Sequence, residues 1–227
     1  MNEQGVAGFV LAGGESSRMG RDKALVPFAG QPLVARSLAM LREAGFDASI
    51  AGARTSLESY APVIHDPAAD AGSGPLAGIC AALDSTTARL CVFLSVDLPL
   101  LPASLLVYLV RRAETAGAPV TLASVNGFAQ TFPAVLDRSV LPLLRAGLDA
   151  GRTGCLAAFR AAAASLNRPL SVIPAEFLVQ SGQVAHPAAL PAFAWFLNVN
   201  APADLRRAET LLARYVLCRG ADCVSWN

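Results

Sequence analysis

The chain has little charge. Charged residues make up 15% of its 227 positions against 54% hydrophobic ones, the reverse of the balance that keeps a polypeptide disordered. Neither sign dominates, since 18 basic and 17 acidic residues leave a formal charge of +1, and no electrostatic footprint for nucleic acid or an anionic membrane follows. Histidine is almost missing. With only His65 and His186, a Ser-His-Asp or Cys-His arrangement has few partners to draw on, and zinc sites fail for the same reason. The five cysteines, Cys80, Cys91, Cys155, Cys218 and Cys223, are odd in number and match no zinc spacing, so reduced thiols without an assigned role are expected.

Long hydrophobic runs are also absent, in spite of a mean hydropathy of +0.46. The longest apolar stretch, Leu90 to Val110, is broken by Asp97, Pro99 and Pro102, whereas a membrane span needs about 20 predominantly apolar residues. Met1 to Gly5 has no basic start and no long apolar region ending in a small-residue cleavage site, so no secretory signal and a cytoplasmic location are expected. The sharpest scarcity is lysine. Of the 18 basic residues one is lysine, Lys23, and all others are arginine. In a chain so biased to arginine, a lone lysine in a Gly/Ser/Arg loop points to a place that needs a compact ammonium, as a point charge on a phosphate would.

What is present alternates. Gly5 to Leu11 is a short apolar run that stops at Gly13-Gly14, as a buried strand ending in a phosphate-sized turn would. Pro32 to Ala44 carries apolar residues at helical spacing and ends at Gly45. Short strands are expected at Ala48 to Ala51, Val63-Ile64, Leu90 to Val96 and Pro119 to Ser124, with a helix from Leu105 to Ala116. This predicts an α/β fold with a mostly parallel sheet and helices on both faces, whose ligands sit beyond the carboxyl ends of the strands. Further on, Phe132 to Leu136 and Ala194 to Val199 read as strands, and Arg138 to Ala146, Gly154 to Leu166 and Pro202 to Leu217 as helices. Asn167 to Pro191, with several prolines, fits neither pattern.

The chemistry concentrates in four segments. Leu11-Ala-Gly-Gly-Glu-Ser-Ser-Arg-Met-Gly-Arg-Asp-Lys23 exposes backbone N–H groups to an anion and adds the cations Arg18, Arg21 and Lys23. Its spacing excludes both a Walker A loop and a Gly-x-Gly-x-x-Gly fingerprint. The strand Leu90 to Val96 delivers Asp97, five residues ahead of a helix start at Pro102, which suits a Mg²⁺ ligand better than a helix cap. Asp66 with Gly72, Gly74 and Gly78 can meet a nucleobase or ribose, and Asn198 and Asn200 alternate beside a strand end. For either of these last two loops alone, turn and capping chemistry accounts for the residues equally well.

In order, these segments resemble the MobA-like molybdenum cofactor guanylyltransferases, a branch of the nucleotidyltransferases. The resemblance rests on Leu-Ala-Gly-Gly-x-Ser-x-Arg-Met-Gly-x-Asp-Lys, Asp66, Gly74-Pro-Leu-Ala-Gly78, Asp97-Leu-Pro99 and Asn198-Val-Asn200-x-Pro, over residues 6 to about 155 and 194 to 212. It implies a Rossmann-like three-layer α/β/α nucleotidyltransferase fold and transfer of GMP from MgGTP to molybdopterin with release of pyrophosphate. Implied roles are Leu11, Ala12, Gly13, Gly14, Asp66 and Gly78 on the nucleotide, Lys23 and Arg18 on the departing pyrophosphate, Asp97 on Mg²⁺ and the nucleotide, and Asn198 and Asn200 in support on the acceptor or metal side. Molybdoenzyme-maturation proteins are implied partners. The expected organisation is a single domain over 1–227, with a nucleotide-binding half to about 125, an acceptor-side half to about 217 and a tail over 218–227. Departures fall at Ala51, where the family commonly has Asn, at Gln130-Thr-Phe-Pro, and in a longer segment from Arg160 to Phe193. A related enzyme using CTP or a sugar phosphate, or a nucleotide-binding module without turnover, are the other readings.

Overall fold

A computed structural model describes residues 5–13, 22–52, 57–67, 70 and 73–220, the last five by backbone alone. Nine strands and eight α-helices are found among the described residues. The first strand, β1 (Ala7–Leu11), is followed by a 3₁₀ turn at Lys23–Leu25 and a two-residue hairpin, β2 (Pro27–Phe28) and β3 (Gln31–Pro32). Then come α1 (Leu33–Glu43), β4 (Asp47–Ala51), β5 (Val63–Ile64), α2 (Pro75–Asp84), β6 (Leu90–Ser95) and α3 (Ala103–Ala116). The second half holds β7 (Val120–Val125), β8 (Phe128–Asp137), α4 (Leu141–Asp149), α5 (Cys155–Ser165), β9 (Ser171–Pro174), α6 (Ala175–Gln180), α7 (Ala192–Trp195) and α8 (Pro202–Gly220).

Seven strands form one sheet in the order β5-β4-β1-β6-β8-β7-β9, in which only β8 runs against the others. The mostly parallel α/β/α architecture is therefore the observed one. The central strands are apolar throughout because both faces are covered. Phe9, Leu11, Cys91 and Phe93 face α2, α4 and α5, while Val10, Val92 and Leu94 face α1, α3, α7 and α8. Phe9 and Phe93 stack across the β1–β6 pair with ring centres 5.3 Å apart. Gly8 marks a close approach: a Cβ there would lie 2.9 Å from the Leu41 side chain of α1.

Three expectations are corrected. Gly78, read as part of a glycine loop, lies inside α2, which Pro75 opens in the first turn where a missing N–H costs nothing. The strand expected over Ala194 to Val199 is instead the short helix α7 followed by irregular chain, because the wholly buried Trp195 donates from its indole N–H to the Leu190 carbonyl at 2.8 Å and turns the segment back on itself. The Phe132 to Leu136 strand is longer, reaching back to Phe128 as the second arm of a hairpin around Asn126 and Gly127, both at positive φ. The stretch from Asn167 to Pro191 contributes the edge strand β9 and α6. The expected tail from Cys218 lies outside the described side chains.

Burial sets the chemistry of two residue types. It pushes the Cys80 and Cys155 thiols up to about 11 and Cys91 up to about 12, which keeps all three protonated and unreactive. It holds His186 down at about 4, with Arg36 adding to the effect. A histidine whose folded pKa is depressed contributes stability that is fully present above its unfolded value near 6.5 and is lost as pH falls toward 4. Denaturant unfolding at pH 7.5 and pH 4.5 should accordingly show a smaller acid loss in His186→Gln than in the wild-type chain. An identical loss in both would remove His186 from the account.

Candidate active site

Strand register places the candidate residues on one rim. Leu11 lies level with Ala51 on one side and with Ser95 on the other, and Ala51 lies level with Ile64. Gly13, Gly52, Asp66 and Asp97 therefore each stand one or two residues beyond the carboxyl ends of β1, β4, β5 and β6. After β1 the chain moves outward to β4 and β5, and then returns to lay β6 on the other side of β1. That reversal makes the β1–β6 crevice the topological switch point, where ligands of open α/β sheets bind.

At this crevice three predicted residues meet. The Lys23 ammonium lies 3.3 Å from Asp97 Oδ2 and donates to Asn200 Oδ1 at 2.6 Å. Lys23 opens the 3₁₀ turn after the β1 loop, and that turn is fixed by Asp22, whose carboxylate accepts from the Ala24 N–H at 2.9 Å. Asn200 is delivered by the chain entering α8. Val199 beside it is fully buried and donates its N–H to the Asp97 carbonyl at 2.9 Å, so the two loops are joined by backbone. Asp204 then reaches back from the first turn of α8 to accept from the N–H groups of Asn200 at 3.0 Å and Ala201 at 2.8 Å, where the helix dipole favours a carboxylate. The alternation expected of Asn198 and Asn200 survives without a strand, since both are exposed on either side of buried Val199. Asn200 joins Lys23 and Asp97; Asn198 points to solvent.

The second group is built from glycines. Ala12 donates to the Ala51 carbonyl at 3.1 Å, and Gly52 to the Ile64 carbonyl at 3.1 Å. A Cβ on Gly13 would run into the Gly52 carbonyl oxygen. One on Gly78 would lie 3.4 Å from the Gly52 Cα and 3.5 Å from Asp66 Oδ1, and Gly52 itself has φ +69°. Gly13, Gly52 and Gly78 thus let three chain segments close on one another beside the Asp66 carboxylate. Gly78 serves this packing from within a helix rather than as a flexible loop residue. Gly52 was not singled out in the sequence; its signal is a glycine directly after the second strand. Arg18, Arg21 and Gly14 lie outside the described residues.

A lysine, a carboxylate and closely approaching glycine backbone on this rim combine a compact cation with hard oxygen donors, a chemistry suited to anions and hard cations. The family model described as the MobA-like NTP transferase domain matches residues 8–168. The chain belongs to this family. A molybdenum cofactor guanylyltransferase of Rhodobacter capsulatus is 41% identical over 112 residues, which are 48% of this chain and 59% of that protein. The chain thus spans less than two thirds of that relative's length. A second one, of Pseudomonas putida, is 36% identical over 146 residues, or 63% of this chain and 75% of its own. The solved molybdopterin-guanine dinucleotide biosynthesis protein A of Archaeoglobus fulgidus matches in fold, with a TM-score of 0.71 at 23% identity over 92% of this chain and 99% of that one. The family match covers the rim residues from Leu11 to Asp97 and stops before Asn200, which the fold brings to them.

The glycine cluster yields a direct test. Gly13→Ala should cost about 1–3 kcal/mol of stability, because backbone rather than a flexible side chain must yield. Denaturant unfolding measures it, and an unchanged midpoint would show that the β1 and β4 ends do not close as described.

Proposed function

We propose that this chain transfers GMP from MgGTP to molybdopterin, forming the guanine dinucleotide of the cofactor and releasing pyrophosphate. The observation that carries the reading is the Lys23 ammonium held between Asp97 and Asn200 at the β1–β6 switch point. The choice of guanine nucleotide and of acceptor is supported by the names of the relatives and by the motifs that run from Leu11 to Asn200. The whole chain is read as one domain, with the nucleotide taken by the half to about residue 125 and the acceptor by the half that follows.

Phosphoryl chemistry of this type needs positioning and charge neutralisation more than a strong protein nucleophile. Leu11, Ala12, Gly13 and Gly14 are read as taking the nucleotide beside the end of β1, with Asp66 and Gly78 on its base and ribose side. Lys23, with Arg18, holds negative charge on the departing pyrophosphate. The donors at the Asp97 end fit Mg²⁺, because they are hard oxygens, a carboxylate and an amide carbonyl, already gathered around a cationic group. Among the described residues no cluster of three or more His, Cys, Asp or Glu side chains stands ready for a metal, so an ion on Asp97 would draw the rest of its oxygens from water and nucleotide phosphates. When bound, it would neutralise phosphate charge and polarise the α-phosphoryl group.

The test is pyrophosphate release with MgGTP, MgCTP, MgATP and MgUTP in turn, each with and without molybdopterin. Release that requires both GTP and molybdopterin, and that falls by about 10²-fold or more in Lys23→Ala and in Asp97→Asn, is the expected outcome. Release with another nucleotide would move the chain to a sibling specificity. Nucleotide binding without turnover, unchanged in Asp97→Asn, would make it a binding module.

A further inference from the structure

The turn that carries Asp97 is poorly held by its own hydrogen bonds. Between β6 and α3 the chain runs Val96-Asp97-Leu98-Pro99-Leu100-Leu101-Pro102, and both prolines lack an N–H. Its internal backbone bond is a long one, from the Leu98 N–H to the Ser95 carbonyl at 3.4 Å. Leu98, Leu100 and Leu101 are buried, so carbonyls here need donors from elsewhere. Two arrive from separate segments: Val199 donates to the Asp97 carbonyl, and the Arg36 Nε–H of α1 donates to the Pro99 carbonyl. The His186 ring packs under the same turn, where the Leu100 backbone partly offsets the fall in its pKa.

Arg36 is an expensive choice for one carbonyl. Its guanidinium is largely desolvated and its charge correspondingly disfavoured, which burial causes and Glu43 partly offsets. It lies 5.1 Å over the Phe28 ring, an aromatic held fully buried in the hairpin after Lys23. Phe28 thereby couples the Lys23 side of the crevice to the Asp97 side. His186 accepts the Ala188 N–H on Nδ1 at 3.0 Å, which leaves Nε2 as the donor of the neutral ring. Arg36 and His186 line one cavity of about 210 Å³ with Leu101, Pro102 and Leu212, and none of Lys23, Asp97 and Asn200 lines it.

We propose that Arg36 is a positioning residue that sets where the Asp97 carboxylate stands between Lys23 and the incoming metal nucleotide. The inference rests on the nucleotidyl-transfer reading for its consequence on rate, and on geometry alone for its consequence on Lys23. Because Lys23 is the only lysine, the chain grown with ¹⁵N-lysine has a single side-chain ammonium resonance, which reports the Asp97 contact without turnover. Arg36→Met keeps the stem over Phe28 and removes the donor. In that variant the Lys23 resonance should move from its wild-type position, and kcat should fall about tenfold while the nucleotide KM changes less than about threefold. Arg36→Lys, assayed for turnover, should recover most of kcat because it returns a cationic donor. An unmoved Lys23 resonance with unchanged kcat, in an Arg36→Met protein whose thermal midpoint shows it folded, overturns the proposal, as does equal loss in Arg36→Met and Arg36→Lys. If Arg36→Met does not fold, Arg36→Gln, with an amide donor of shorter reach, carries the same comparison. No transfer by the wild-type chain would overturn the functional reading, whereas the Lys23 resonance still decides the positioning role.

Discussion

The site depends on one constraint, a single ammonium near the start of the sequence kept between a carboxylate from its middle and an amide oxygen from near its end. Lys23 and Asn200 are 177 residues apart, and Lys23 and Asp97 are 74 apart. This ion pair is part-buried, so the cost of desolvating both charges offsets much of their attraction and its net contribution to stability is small. Its importance is positional, because it puts one positive charge at the β1–β6 switch point, where ligands of open α/β sheets bind. Everything around it serves that placement: Asp22 fixes the turn beneath the lysine, Val199 ties the Asn200 loop to the Asp97 carbonyl, and Asp204 caps the helix that follows.

Beside this charged centre, the glycine side of the rim is made by removing atoms. Gly13, Gly52 and Gly78 bring the ends of β1, β4 and α2 together at distances that no Cβ at Gly13 would allow. The Asp66 carboxylate stands at their meeting point. Since Ala51 is fully buried and Gly52 follows it without a side chain, the segment at which the family pattern commonly has Asn contributes backbone here. The two halves of the crevice differ in kind: one is defined by charges gathered over long range, the other by close approach.

The long segment after Arg160, which departs from the family pattern, has a structural place. It supplies β9 to the sheet edge, α6 and α7 to the core, and His186 to the underside of the Asp97 turn. Its attachment to the hairpin end is electrostatic as well, through the Glu176 carboxylate, which accepts the Asn126 N–H at 2.6 Å.

The sequence by itself determined the strands that carry chemistry, because β1 and β6 are buried on both faces and so are written as unbroken apolar runs that stop at glycine or aspartate. It also determined Lys23 and Asp97 as candidates, one by its rarity and the other by its place past a strand end. Local patterns failed where packing outweighed them. Ala194 to Val199 has a strand's composition, but burial of Trp195 bends it into a helix. Gly78 has a loop's composition, but Pro75 starts a helix around it. Only the tertiary structure decided that Asn200 rather than Asn198 reaches the lysine, that Gly52 belongs with Gly13, and that Arg36 reaches the Pro99 carbonyl. These are contacts between segments distant in sequence, and their energies come from desolvation and backbone hydrogen bonds that no local pattern encodes.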